Sequence, residues 1–298
     1  MLAGFHPKTK QVYWALFVTM MVWGVNLSAV KMLTETLDIF WVASIRMVIA
    51  SSVLAGIAWR WGDSLAHWKL PDWALLFLAA FFLVYCQQIA FATGLSQTSA
   101  TNAALVMALG PMVSLSFEAL AFRRAILPRQ IAGMGLALAG VAAVILNKHN
   151  AALTSAAWGD VWIFCSVLGF ALGGLCIQRL TLNASPISVS WAVHTAGALM
   201  LCLHLVAAVD HPLGDFRAMN LWQWFWVGFS AILATGIGSV VWSMGISTLG
   251  VGRTSSFISW VPIFGFVFGV LVFSEPVTIW HVIGLGGVIL GSMWVVRR

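Results

Sequence analysis

The chain has 298 residues, of which 61% are hydrophobic and only 8% charged. Soluble domains are about a quarter charged and about half apolar, so a water-soluble globule is excluded. The net charge of +6 comes from cations scattered over loop ends, not from a basic stripe, which excludes a nucleic-acid partner.

Apolar runs of helix-spanning length follow one another with short polar breaks, and each is long enough to cross a hydrocarbon core of roughly 30 Å. In chain order they cover about 11–32, 40–59, 73–95, 100–122, 128–147, 158–179, 186–208, 222–247, 254–274 and 278–296. The expectation is an all-α polytopic membrane protein with ten transmembrane helices. Eight or nine spans are the alternative, because the breaks SQTS at 96–99 and SEPVT at 274–278 could each hide a re-entrant turn. The first run follows Lys8 and Lys10 but exceeds the 7–15 residues of a signal-peptide core, so an uncleaved first helix is expected. Cys86, Cys165, Cys176 and Cys202 fall inside spans without CxxC spacing, and neither a disulfide framework nor a metal site is suggested.

With a cytoplasmic N-terminus, the inner segments collect Lys8, Lys10, Arg60, Lys69, Arg123, Arg124, Arg129, Arg179, Arg253, Arg297 and Arg298, which is eleven of fifteen cations. Lys31, Lys148 and Arg217 fall outside with most of the acids. The positive-inside rule then places both termini in the cytoplasm, in a multi-pass protein of the cytoplasmic (inner) membrane. Trp41, Trp59, Trp61, Trp68, Trp73, Trp158, Trp222, Trp224 and Trp280 near span ends suit an interfacial aromatic belt. Trp23 and Trp242 lie deeper and are candidates for a cavity wall, with lipid-facing packing as the other reading.

An ungapped shift of 151 residues pairs Trp73 with Trp224, Gly94 with Gly245, Ser96 with Ser247, Pro111 with Pro262, Phe122 with Phe273, Gly133 with Gly284 and Gly140 with Gly291. The chain therefore reads as a duplication, with a first repeat over 11–147 and a second over 158–296. Five spans per copy is an odd number, so the second copy must be inverted. Arg124 aligns with Glu275, each carrying the sign that suits its side. Two inverted five-helix repeats with a midplane site between them are a recurring transporter architecture.

Trp23-Gly24-Val25-Asn26, the run FSEPVTIWHVIGLGGVILG from Phe273 to Gly291, and the paired prolines resemble the drug/metabolite transporter superfamily, in its ten-span EamA-like branch. The first-half copy of the run, FRRAILPRQIAGMGLALAG, departs from it by carrying Arg124 where Glu275 stands. The resemblance implies alternating-access transport of a small metabolite, often outward, through a central cavity between two bundles. Some members, YddG-like proteins among them, export amino acids. The function expected is thus a secondary transporter of an amino acid or similar amphipathic solute; efflux of lipophilic or aromatic compounds, or a channel, are the alternatives.

No phosphate-binding GxxxxGK[ST] loop occurs, no cofactor is called for, and no nucleophile with a partnered base suggests an enzyme. Polar groups within spans are the candidates for substrate contact, since they usually face the protein interior or a wet cavity. Tyr85 and Gln88 share a face at i, i+3, and Thr235, Ser239 and Trp242 share another. Asn26 and Ser259 complete the expected cavity set of Asn26, Tyr85, Gln88, Ser239, Trp242 and Ser259. Against this, Ser and Thr often bond to their own helix, and Gln88 can bridge helices. Glu118 is a candidate inner-mouth charge, or a partner of a loop arginine. Arg46 aligns, at an offset of about 148, with His194. Either residue could belong to a buried ion pair, while Arg46 could instead snorkel. His194 is a candidate for proton coupling, because histidine titrates near neutral pH, or a structural histidine. Pro111 and Pro262 leave the carbonyls of Met107 and Ile258 without their helical partners and are candidate hinges, one per gate. The glycines of spans five and ten suit close helix packing, with a homodimer contact as the other reading. The partners expected are a small-molecule substrate and the lipid bilayer.

Overall fold

The structure is a computed structural model that describes residues 9–123, 126–146, 155–210, 216, 219–273 and 278–296. Among these residues the chain forms ten long helical stretches: α1 (Thr9–Thr34), α2 (Ile39–Trp61), α3 (Leu70–Gln97), α4 (100–122), α5 (Pro128–Leu146), α6 (Ser155–Leu180), α7 (Pro186–Ala208), α8 (Leu221–Leu249), α9 (251–273) and α10 (Ile279–Val296). Eight helices, lying in α1 to α4 and α6 to α9, are long and apolar enough to cross a membrane, and Ile279–Gly291 of α10 is a shorter apolar helix.

Local chemistry sets the boundaries. Asp38 caps α2 by accepting a hydrogen bond from the Trp41 N–H at 2.9 Å, and Ser99 caps α4 by accepting from Asn102 N–H. Ser185, followed by Pro186, starts α7, and Asn220 with Gln223 forms a reciprocal capping box at α8. Each satisfies amide donors that a helix N-terminus leaves open. Ser99 also decides the SQTS break: Thr98 is extended and α4 starts immediately after it, a plain interhelical turn. The other doubtful break lies at 274–277, outside the described residues. At the far end of α8, Gly250 takes φ +83, the left-handed region that only glycine enters without strain.

Two kinds of irregularity recur. Phe81–Cys86 of α3 and Phe229–Ile237 of α8 are π-helical; shifted by 151 residues, the first falls inside the second. α4 breaks between Ala100–Met107 and Gly110–Phe122, with Pro111 near the start of the second piece. α9 passes through a 3-10 turn at Ser256–Trp260 before Pro262. A proline ring clashes with the carbonyl four residues earlier, which is Met107 or Ile258, and the departure from α-helix occurs there in both.

α5 packs chiefly on α10, α3 on α6, α2 on α7, and α1 on α8 and α9. Small residues allow the α5–α10 approach: a Cβ on Gly140 would lie 2.8 Å from the Gly284 carbonyl oxygen, and one on Gly291 would collide with the carbonyl of Gly133. The glycine faces at these positions thus meet each other within one chain. The larger buried cluster draws on all ten helical stretches, with Ala43 and Met47 from α2, Ala137 from α5 and Val288 from α10. Bulky apolar side chains such as Trp14 and Val18 of α1, and Leu199, Leu203 and Val206 of α7, lie exposed on the outside, as lipid contact requires. Trp59, Trp61, Trp73, Trp158, Trp222 and Trp280 are exposed too, but Trp41 and Trp68 are core residues. Their rings pack against Trp224 and Trp73 respectively, so neighbouring tryptophans enclose them.

Candidate functional site

Helices of both halves enclose a cavity of about 100 Å³. A water molecule needs roughly 10–15 Å³ measured in this way, so the space exceeds that of a few trapped waters. α1 contributes Trp23 and Asn26, α2 Arg46, α3 Gln87, Gln88 and Phe91, α4 Met107 and Gly110, α6 Ser166 and Phe170, α7 His194, α8 Thr235, Ser239, Trp242 and Ser243, and α9 Ile258.

One wall is aromatic. Trp23, Phe170 and Trp242 form a triangle, with ring centroids 5.7 Å apart for Trp23–Phe170, 5.4 Å for Trp23–Trp242 and 5.0 Å for Phe170–Trp242. Trp23 is fixed by its indole N–H, which donates to the Ala234 carbonyl at 2.8 Å. That carbonyl lies in the π-helical segment, where hydrogen bonds run to i+5 and the ladder is disturbed. Gly238 leaves room for the ring: a Cβ there would sit 2.8 Å from Trp23 Nε1. The Trp242 indole nitrogen is buried and has no hydrogen-bond partner among the described residues.

The other wall is a polar chain centred on Arg46. The side chain is 1% exposed; its Nε donates to Ser230 Oγ at 2.6 Å and a terminal nitrogen donates to Gln88 Oε1 at 3.1 Å. The Ser230 hydroxyl in turn donates to Asn26 Oδ1, and Gln88 Nε2 donates to Gln87 Oε1 at 2.7 Å. Each neighbour therefore turns an oxygen toward the guanidinium. Arg46 does not snorkel, and it pairs with neither His194 nor an acid: among the described residues no carboxylate comes within 4.0 Å of it. On α7, His194 Nδ1 lies 2.8 Å from the Ser190 carbonyl. A carbonyl only accepts, so Nδ1 carries the proton and Nε2 is left to accept, or to donate when the ring is charged. Ser190 continues to Ser243 Oγ at 2.7 Å.

Asn26, Gln88, Ser239, Trp242 and His194 thus line the cavity, as do Trp23 and Thr235. Tyr85 does not share the Gln88 face. The intervening π turn adds residues per turn and rotates Tyr85 away, so its hydroxyl meets His204 Nδ1 and its ring stacks on Phe81. Ser259 sits in the 3-10 turn of α9, outside the cavity lining, with its hydroxyl buried and unpartnered among the described residues. Glu118 is half-buried in the second piece of α4, also outside the lining. Ser230 was missed because α-helical spacing puts it off the Thr235 face; a π-helical turn of five residues brings the two together, and Thr235 Oγ1 donates to the Ser230 carbonyl at 3.0 Å. The polar count within each span was the available signal, whereas helix type was not.

The EamA-like transporter family model matches residues 10–146 and 157–297. The chain belongs to the EamA-like transporter family. Family and relatives alike speak for a transporter and not for an enzyme. It is similar to the uncharacterized transporter YetK of Bacillus subtilis, at 23% identity over 95% of this chain and 86% of that protein. Another similar protein, YyaM of the same organism, is 27% identical over 68% of this chain and 66% of its own length. A probable terminal-alkyne amino-acid exporter of Streptantibioticus cattleyicolor is 22% identical over 86% of this chain and 83% of that protein. A solved crystal structure superposes with a TM-score of 0.71 at 15% identity, covering 96% of both chains, which is a likeness of fold.

Proposed function

We propose that this EamA-like protein is a secondary carrier that exports a small amphipathic metabolite, an amino acid or a solute like it, across the cytoplasmic membrane by alternating access. The observation that carries the reading is the cavity itself, walled by helices of both halves and pairing an aromatic triangle with a polar chain. Small-molecule sites combine a mainly apolar wall with a few convergent polar groups in this way.

The mechanism we infer has ten crossings arranged as two inverted five-helix repeats. Several features support it. The π turns of α3 and α8 fall at matching positions, as do the breaks before Pro111 and Pro262. The packing α3 on α6 has its counterpart in α8 on α1, and α1 on α9 in α6 on α4. Arg46 and His194, which align at an offset of about 148 and not at the main register of 151, both reach the cavity. Segments assigned to one side also meet: Asp63 accepts from Ser185 N–H at 2.9 Å and His67 bonds Asn183, while across the bundle Lys31 donates to the Thr98 carbonyl and Thr98 to Asp160. Both termini then face the cytoplasm. Rocking at the two proline breaks opens one gate while closing the other, and His194 is the group placed to couple a proton.

Efflux of aromatic compounds is the second reading, favoured by the three-ring wall alone. Metabolite profiles of cells overexpressing the chain, compared with cells expressing Gln88→Ala or Trp242→Ala, test the proposal. A solute whose export depends on both side chains is expected. Identical profiles in all three would sink the cavity assignment.

A further inference from the structure

Arg46 is the largest fully buried side chain among the described residues, and its surroundings are unusual for a structural arginine. A buried charge is ordinarily paired with an opposite charge. Here every partner is neutral: Ser230 Oγ and Gln88 Oε1. Among the described residues that line the cavity there is no aspartate or glutamate. Guanidinium has five N–H donors, of which these two bonds occupy two. The acceptors are also pre-set, because Asn26 and Gln87 take the hydrogen-donating sides of Ser230 and Gln88. The ring of neutral oxygens therefore aims the guanidinium without neutralising it. The Trp242 indole N–H, on a residue that lines the cavity, is also buried and unpartnered among the described residues. The remaining wall is the aromatic triangle of Trp23, Phe170 and Trp242.

From this we infer that the carrier's substrate is a net-negative monocarboxylate with an apolar body, its carboxylate held by the Arg46 fork and its body laid against the three rings. The inference rests on the transport reading above, keeps its small amphipathic solute and replaces the amino acid by an acid that lacks the ammonium group. A planar guanidinium matches a carboxylate with two parallel N–H···O bonds. One cation balances one negative charge, so a dianion leaves a charge unmet. A zwitterionic amino acid brings an ammonium group for which the cavity lining holds no carboxylate among the described residues; it meets only ring faces and neutral oxygens such as those of Ser166 and Thr235. The site therefore ranks a carboxylate above both its amide and its α-amino derivative.

Three solutes isolate the charge: 3-phenylpropanoate, 3-phenylpropanamide and phenylalanine, which is the first compound with an α-ammonium group. Binding to the purified full chain in detergent is measured by isothermal titration. Saturable uptake and counterflow of each are measured in proteoliposomes. The expected result is at least a tenfold lower Kd for 3-phenylpropanoate than for either relative, with the difference abolished in Arg46→Gln and reduced in Ser230→Ala, which leaves the charge but removes an orienting acceptor. Should Arg46→Gln fail to purify as a folded protein, Ser230→Ala carries the test. Equal binding of acid and amide, tighter binding of phenylalanine, no binding of any of the three, or an undiminished preference in the variants would overturn the inference. Saturable transport of amide or phenylalanine without preference for the acid overturns this inference and keeps the carrier. Selective binding of the acid with no counterflow of any solute removes the carrier and keeps the anion site.

Discussion

Replacing Arg46 by Met separates a functional arginine from a structural keystone. If Arg46 held the bundle together through a buried ion pair, removing it would strand the partner's charge and cost about 3–5 kcal/mol. The structure shows no such partner among the described residues. What is lost instead is two hydrogen bonds, at 2.6 and 3.1 Å, each worth about 1.5–3 kcal/mol when one member is charged. What is gained is relief of an unneutralised buried charge, which costs several kcal/mol per ion. Met fills irregular space with little strain. The terms nearly cancel, so the expected change in stability is within about 1 kcal/mol, or about 2–4 °C in melting midpoint for a chain of this size. Thermal unfolding of the purified protein in detergent reads this directly. A carboxylate that binds the folded wild type raises its stability by about 2.7 kcal/mol at a hundred times its Kd, and Arg46→Met should show no such rise. A loss of 3 kcal/mol or more in the variant without ligand would refute the reasoning, because it would mean that Arg46 balances a charge.

Gly238→Ala is expected to push the Trp23 ring off the Ala234 carbonyl, since the new methyl group would lie 2.8 Å from Nε1. The lost hydrogen bond and the strain together cost about 2–4 kcal/mol, measured as a lowered melting midpoint with impaired transport; full activity would contradict the Trp23 placement. Tyr85→Phe removes the bond to His204 and should cost about 1 kcal/mol while leaving substrate Kd unchanged, and a tenfold change in Kd would put Tyr85 back at the cavity. Glu118→Gln should retain transport with the same pH dependence, given its place outside the cavity lining; loss of either would restore it as an inner-mouth charge. Gly291→Leu should separate α10 from α5, because even a Cβ collides with the Gly133 carbonyl, and lower expression and thermal stability, whereas a wild-type melting curve would argue against that packing.

Spacing and composition carried most of the helical architecture, because each long apolar run asks for a helix, whereas the starts of the helices rest on caps at Asp38, Ser99, Ser185 and Asn220 that run length alone does not locate. Trp23 and Trp242 were legible as deep positions within their spans, while their facing the cavity and not lipid is known only from the packing. Face assignments fared differently wherever the helix is not α. The π turns at Phe81–Cys86 and Phe229–Ile237 move Tyr85 off the Gln88 face and bring Ser230 onto the Thr235 face, and apolar sequence has no local mark for such a turn. Arg46 was visible as an intramembrane charge, but its direction depends on Ser230, 184 residues away in the chain, which periodicity along α2 cannot supply.

Alternating exposure of the cavity is the central claim, and it is measurable without knowing the substrate. Ser239 lines the cavity and its hydroxyl donates within its own helix, to the Gly236 carbonyl at 2.9 Å, so Ser239→Cys perturbs little. In a chain whose four native cysteines, Cys86, Cys165, Cys176 and Cys202, are replaced, a membrane-impermeant thiol reagent is applied to each side in turn. The account predicts modification from either face, with a saturating transported solute shifting the two rates in opposite directions. Access from one face only, or equal and unshifted access from both, would contradict a carrier.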